Sequence, residues 1–166
     1  RNADQLRAVA LDVDAIVLET FNELAELQLA LAAVREATDL PVICSMTFSA
    51  GPDKTRTMMG ESPADLAAAA DAGGAAGVGA NCGVGPDTYV TVAGMLREAT
   101  DLPIWIKPNA GMPQVRDGET VFPMGPDEFA AHAPRILDAG ASFLGGCCGT
   151  TPEHIRALRA AVDGLG

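Results

Sequence analysis

Short apolar runs alternate with helical patterns about five times along this chain, and that alternation restricts its fold more than any other feature. Residues 15–18, 41–48, 76–82, 104–107 and 142–144 are the apolar runs, of a length and composition that suit strands covered on both faces. Between the first two, Leu24, Leu27, Leu31 and Val34 recur at the three-and-four spacing of a single helical stripe. Ser62 and Pro63 offer a cap and a first-turn proline for an Ala-rich second helix, which Gly73-Gly74 ends. Further helices are expected over about 87–99, over about 126–139 and after Thr151-Pro152, with a long loop at 108–125. Strands and helices in this order specify parallel βα units.

The heptapeptide Arg-Glu-Ala-Thr-Asp-Leu-Pro occurs twice, at 35–41 and at 97–103, each time where a helix gives way to a strand. It fits an architecture of similar units and carries no functional reading of its own. Candidate ligand residues choose between a doubly wound sheet and a barrel. Glu19, Cys82, Asn109, Cys147 and Cys148 each fall just past the C-terminal end of an expected strand, the face where barrel active sites gather. The expected fold is therefore α/β, the C-terminal part, about five βα units, of a (βα)8 TIM barrel. A whole barrel takes about 250 residues. The domain at 1–166 thus reads as a partial one with roughly three early strands missing, and a start at Arg1 instead of Met suits a piece of something longer.

The formal charge of −11, from 22 acidic against 11 basic residues, disfavours nucleic acid and anionic membranes as partners. No apolar run approaches the roughly 20 residues of a membrane span, and the polar start Arg1-Asn2-Ala3-Asp4-Gln5 is unlike a signal peptide. A cytoplasmic protein is expected. In that setting 4 cysteines, two of them adjacent, are better read as reduced thiols or metal ligands than as disulfides.

Cys82 ends the third strand, and Gly145-Gly146-Cys147-Cys148-Gly149-Thr150 follows the last. Three soft thiolates from two strand ends suit zinc, provided the glycines turn the chain enough to aim adjacent cysteines at one ion. Spacing alone leaves a second reading open, in which these are small buried hydrophobes. That second reading is preferred for Cys44, in mid-strand. Asn109, within Pro108-Asn109-Ala110-Gly111, has the composition of a turn residue, and Glu19 that of a solvated or helix-capping carboxylate. His132 and His154 read as surface helix residues, Gly83-Val84-Gly85 is too short for a dinucleotide fingerprint, and capping by Thr151 accounts for the last helix start.

Taken together, Leu18-Glu19-Thr20-Phe21, Ala80-Asn81-Cys82, Lys107-Pro108-Asn109-Ala110-Gly111 and the run from Gly145 to His154 resemble the homocysteine S-methyltransferase family. The resemblance covers nearly the whole chain, and within the family the 109–123 loop looks most like the homocysteine-binding domain of cobalamin-dependent methionine synthases. It implies a (βα)8 barrel and a methyltransferase of the EC 2.1.1 class, making methionine. It implies Cys82, Cys147 and Cys148 as zinc ligands, Asn109 as an exchangeable fourth ligand, and Glu19 as the carboxylate that takes the substrate ammonium. It further implies homocysteine as substrate, methylcobalamin on a separate domain or protein as donor, and cobalamin- and folate-binding domains as partners. Betaine or S-methylmethionine as donor, and an inactive zinc-binding barrel fragment, are the alternatives. The chemistry agrees: a free thiol with a pKa of about 8.5 is mostly protonated at neutral pH, whereas a thiolate on a zinc already carrying three cysteinates stays electron-rich.

Overall fold

The computed structural model describes residues 12–165; the polar start at Arg1–Gln5 lies outside the described residues. In chain order the elements are β1 (Ile16–Phe21), α1 (Leu24–Ala37), β2 (Val42–Met46), α2 (Pro63–Ala72), β3 (Gly77–Asn81), α3 (Pro86–Ala99) and β4 (Ile104–Lys107). There follow β5 (Gln114–Arg116), β6 (Glu119–Val121), α4 (Pro126–Ala130), α5 (Ala133–Asp138), β7 (Phe143–Leu144) and α6 (Pro152–Asp163). Five strands form a parallel sheet in the order β1-β2-β3-β4-β7, and β5 pairs with β6 as a separate antiparallel hairpin.

Alternation within the strands divides the sheet into two faces. Val42, Cys44, Met46, Val78, Ala80, Ile104 and Ile106 pack in one core with Leu27, Leu31 and Val34 of α1, Leu66 of α2, and Val92 and Leu96 of α3. Cys44 is fully buried there, as expected, and that burial pushes its thiol up to about 11 against the opposing pull of Arg35. The other face carries Ser45, Gly79, Asn81, Trp105 and Lys107, the residues left over by the alternation. Among the described residues no helix is long and apolar enough to cross a membrane.

Three expectations need correction. The helix expected over 126–139 is two helices, because Pro134 in the first turn of α5 has no N–H to continue the α4 ladder. His132 occupies the N-cap position of α5 at that break, with Nδ1 3.5 Å from Asp87 Oδ1 and no side-chain capping bond, so it is a junction residue and not a surface helix residue. His154 is buried at 6% exposure: Nδ1 accepts from Thr151 N–H at 3.2 Å, which makes Nε2 the donor to the Met124 carbonyl at 3.0 Å. In addition, the 108–125 loop contains the β5–β6 hairpin, whose alternation was too short to read.

Candidate metal centre

Cys82 follows β3 in a left-handed conformation, φ 64, which turns its side chain across the end of the sheet. Such a φ is uncommon without glycine, and the surrounding bonds hold it. Cys82 N–H donates to the Lys107 carbonyl at 3.1 Å, Val84 N–H donates to the Cys82 carbonyl at 2.7 Å, and the Tyr89 hydroxyl reaches that carbonyl at 2.7 Å. The same hydroxyl lies 2.8 Å from the Asn81 carbonyl. Tyr89 is fully buried, and burial, then the adjacent Cys82 thiol, push its pKa upward, so it remains a donor.

Cys147 and Cys148 sit on a turn clamped to the loop after β4. Cys147 N–H donates to the Pro108 carbonyl at 2.9 Å, Cys148 N–H to Asn109 Oδ1 at 3.0 Å, and Ala110 N–H to the Cys148 carbonyl at 2.9 Å. Thr150 closes the turn, its hydroxyl donating to the Cys147 carbonyl at 2.7 Å. The expected need for glycine holds at two positions. Gly149 has φ +79 and a Cβ there would lie 2.3 Å from Phe122, and a Cβ on Gly146 would lie 2.5 Å from Thr150.

These elements bring the Sγ atoms of Cys82, Cys147 and Cys148 within 4.8 Å of one another, with Cys82 and Cys148 at 3.7 Å. A tetrahedral zinc with Zn–S bonds of about 2.3 Å separates its sulfurs by about 3.8 Å, so both spacing and donor type fit that ion. Partial desolvation first, then the Cys82 and Cys147 thiols, push the Cys148 thiol up to about 11. A bound cation would offset that mutual repulsion and let the three thiols ionise together.

Glu19 belongs to β1 itself, whereas the sequence places it just past the end of that strand. The register slips between Leu18 and Phe21, and Thr20 in the slip has φ 69. Across the open face, Lys107 Nζ reaches Glu19 Oε2 at 2.6 Å. Beside it, Glu19, Glu23 and Glu26 with Phe21 and Met59 line a depression of about 340 Å³, acidic enough to suit a cation. The Asn109 side chain is 3% exposed and holds the Cys148 turn through its oxygen. The sequence reading assigns no role to Asn81, Tyr89 or Lys107. A lone polar residue closing the otherwise apolar β3 is the signal that singles out Asn81.

Parallel βα units with three thiols gathered at the C-terminal ends of the strands are the arrangement of a barrel-type protein, and the thiols form a candidate metal site. The homocysteine S-methyltransferase family model matches residues 3–162, and the chain belongs to that family. It is 35% identical over 156 residues to the methionine synthase of Mycobacterium leprae, covering 90% of this chain and 13% of that protein. It is 34% identical over 151 residues to homocysteine S-methyltransferase 3 of Arabidopsis thaliana, covering 87% of this chain and 42% of the relative. The chain thus spans less than half the length of either relative. The apo form of the homocysteine methyltransferase MmuM of Escherichia coli superposes with a TM-score of 0.73 at 21% identity, over 96% of this chain and 57% of that one. That likeness shows the fold: the five-stranded sheet corresponds to a portion of such a barrel.

Proposed function

We propose that this chain binds zinc through Cys82, Cys147 and Cys148 and presents the thiol of homocysteine to a methyl donor, giving methionine. The convergence of three Sγ atoms within 4.8 Å carries this reading. When bound, zinc supplies the Lewis acidity that lets the substrate sulfur act as a thiolate at neutral pH. Glu19 takes the substrate ammonium: Lys107 occupies Oε2, and the acidic wall of the adjacent depression favours a cation. Asn109 is the exchangeable fourth ligand. Its oxygen accepts one bond from Cys148 N–H, and a carbonyl oxygen has a second lone pair to offer.

The likeness to a mycobacterial methionine synthase supports a role as the homocysteine-binding module of a cobalamin-dependent enzyme, with methylcobalamin and folate handled by other domains. The likeness to the Arabidopsis enzyme keeps a betaine or S-methylmethionine donor as the second reading. Free thiols at all 4 cysteines suit the reducing cytoplasm, where we place the chain. Metal analysis of the purified chain, followed by X-ray absorption with and without homocysteine, tests the proposal. One zinc per chain, with a fourth sulfur joining three on addition of homocysteine, is expected; a chain that takes up no zinc, or a bound zinc whose ligands homocysteine leaves unchanged, overturns it.

A further inference from the structure

Asn81 is fully buried at the end of β3, one residue before Cys82. Its neighbours fix the orientation of its amide. Thr20 N–H can only donate, so the atom 2.9 Å from it is Oδ1, and the Ser45 hydroxyl donates to the same oxygen at 2.8 Å. Nδ2 then donates one hydrogen to Thr20 Oγ1 at 2.6 Å and directs the other to Cys147 Sγ, 4.0 Å away, at the outer limit of an N–H···S contact. Buried amides use both hydrogens, and here the sulfur takes the second.

The grip on Thr20 matters because Thr20 is strained. A β-branched residue at φ 69 persists only where its surroundings hold it, and Asn81 does so at both the backbone N–H and the hydroxyl. The irregularity that Thr20 makes in β1 re-aims its neighbour, Glu19. One rigid side chain therefore joins the strand that carries the carboxylate to a thiol of the metal cluster.

We infer that Asn81 is a positioning residue that sets the separation of the Glu19 carboxylate and the Cys147 sulfur, and so selects thiol amino acids by the distance between their sulfur and ammonium groups. This rests on the proposed function above. A substrate that meets the metal with its sulfur and Glu19 with its ammonium spans the two, and cysteine is one methylene shorter than homocysteine. With the two anchors held at a fixed separation by a buried amide, the extra methylene gives homocysteine the longer reach, and the expected outcome is that it meets both anchors and cysteine only one.

The test uses the chain loaded with Co2+, whose thiolate-to-metal charge-transfer band reports on the sulfur donors. Asn81→Asp preserves shape and the contacts of Oδ1 but replaces the N–H donor by a carboxylate oxygen, which adds negative charge beside Cys147. The band is expected to move to lower energy, since a sulfur that loses an N–H contact donates more readily. The ratio of homocysteine to cysteine affinity, titrated on the same spectrum, is expected to fall about tenfold. A variant that merely loosened the fold would weaken both thiols alike. Should Asn81→Asp not fold, 113Cd-loaded wild-type chain decides: a scalar coupling between cadmium and the Asn81 amide proton through Cys147 Sγ is expected. An unmoved band with an unchanged ratio, or no such coupling, overturns the role of Asn81 and leaves the metal centre standing. Failure of the wild-type chain to bind Co2+ at all overturns both.

Discussion

The buried hydroxyl of Tyr89 faces two main-chain carbonyls, those of Asn81 and Cys82, at 2.8 and 2.7 Å. With Val84 N–H, it holds the backbone where β3 turns into Cys82. Tyr89→Phe keeps the ring in the core and removes only the hydroxyl. Val84 N–H still meets the Cys82 carbonyl, so the loss is that of a single hydrogen bond, about 1 kcal/mol, and denaturant unfolding of the two proteins measures the difference. A loss of zinc affinity of roughly tenfold or more is expected alongside, since the clamp fixes the direction of Cys82; competition with a chromogenic chelator reads it. Gly149→Ala acts on the other side of the cluster, where both φ +79 and Phe122 at 2.3 Å oppose a side chain. These residues differ in how far the sequence reveals them. Soft thiol donors in a glycine run are visible because their chemistry is their own. Asn81 and Tyr89 are ordinary until the fold brings Thr20 and Cys147, 61 and 66 positions from Asn81 in sequence, within reach of it.

At the scale of elements, the repeated heptapeptide turns out to be one loop built twice. Thr38 and Thr100 end α1 and α3 in nearly the same extended conformation, φ −160 and −156, each with its N–H bonded to the carbonyl four residues back. Each hydroxyl accepts from the leucine two residues on, at 3.2 Å in both copies. Arg35 and Arg97 then reach the carbonyls of Leu40 and Leu102 at 3.0 and 3.2 Å. Thr38→Val and Thr100→Val should each cost about 1 kcal/mol, additively in the double variant because the loops share no partner, as unfolding of the four proteins would show. The start of α2 is equally local: Ser62 and Asp65 cap each other, with Asp65 N–H donating to Ser62 Oγ at 3.2 Å and Ser62 N–H to Asp65 Oδ2 at 2.8 Å. The bonds from the Ser62 hydroxyl and backbone hold the Asp65 carboxyl below its ordinary value of 3.8. A lowered folded value means that Asp65 stabilises the fold fully above the unfolded value and progressively less as pH falls below it. The stability gap between wild type and Asp65→Asn should therefore be flat above about pH 4 and close below it; a gap that widens in acid would refute the capping account. Such caps were readable because they obey local rules. The break between α4 and α5 obeys one too, at Pro134, whereas the β1 irregularity at Thr20 depends on a side chain from β3 and has no local signal.

Taken as a whole, the molecule is legible as parallel βα units because short apolar runs alternate with helical stripes, although of the sheet strands only β3 is buried at every position. Its polar face is not, since Ser45, Asn81 and Lys107 appear there singly, each among apolar neighbours in sequence. The placement of the three thiols also sets what a bound metal would do mechanically. Cys82 leaves β3, whereas Cys147 and Cys148 follow β7, and β4 lies between these strands in the sheet. β7 is only two residues long and is the last strand in its order, held by Ser142 N–H to the Ile104 carbonyl at 2.8 Å and Gly145 N–H to the Ile106 carbonyl at 3.0 Å. Terminal strands with so few bonds open at low free energy. A zinc held by thiols from both sides links the weak end of the sheet to its centre, and a ligand that binds only the folded state stabilises it by mass action, about 4 kcal/mol at a thousandfold excess over Kd. Zinc removal should therefore lower the melting temperature and, more tellingly, raise amide exchange most at residues 142–150, with β2 and the buried face of α1 changing least. Equal acceleration throughout the sheet on chelation would mean that the metal acts on the fold as one unit, and protection unchanged at 142–150 would mean that the thiols do not bridge the strands.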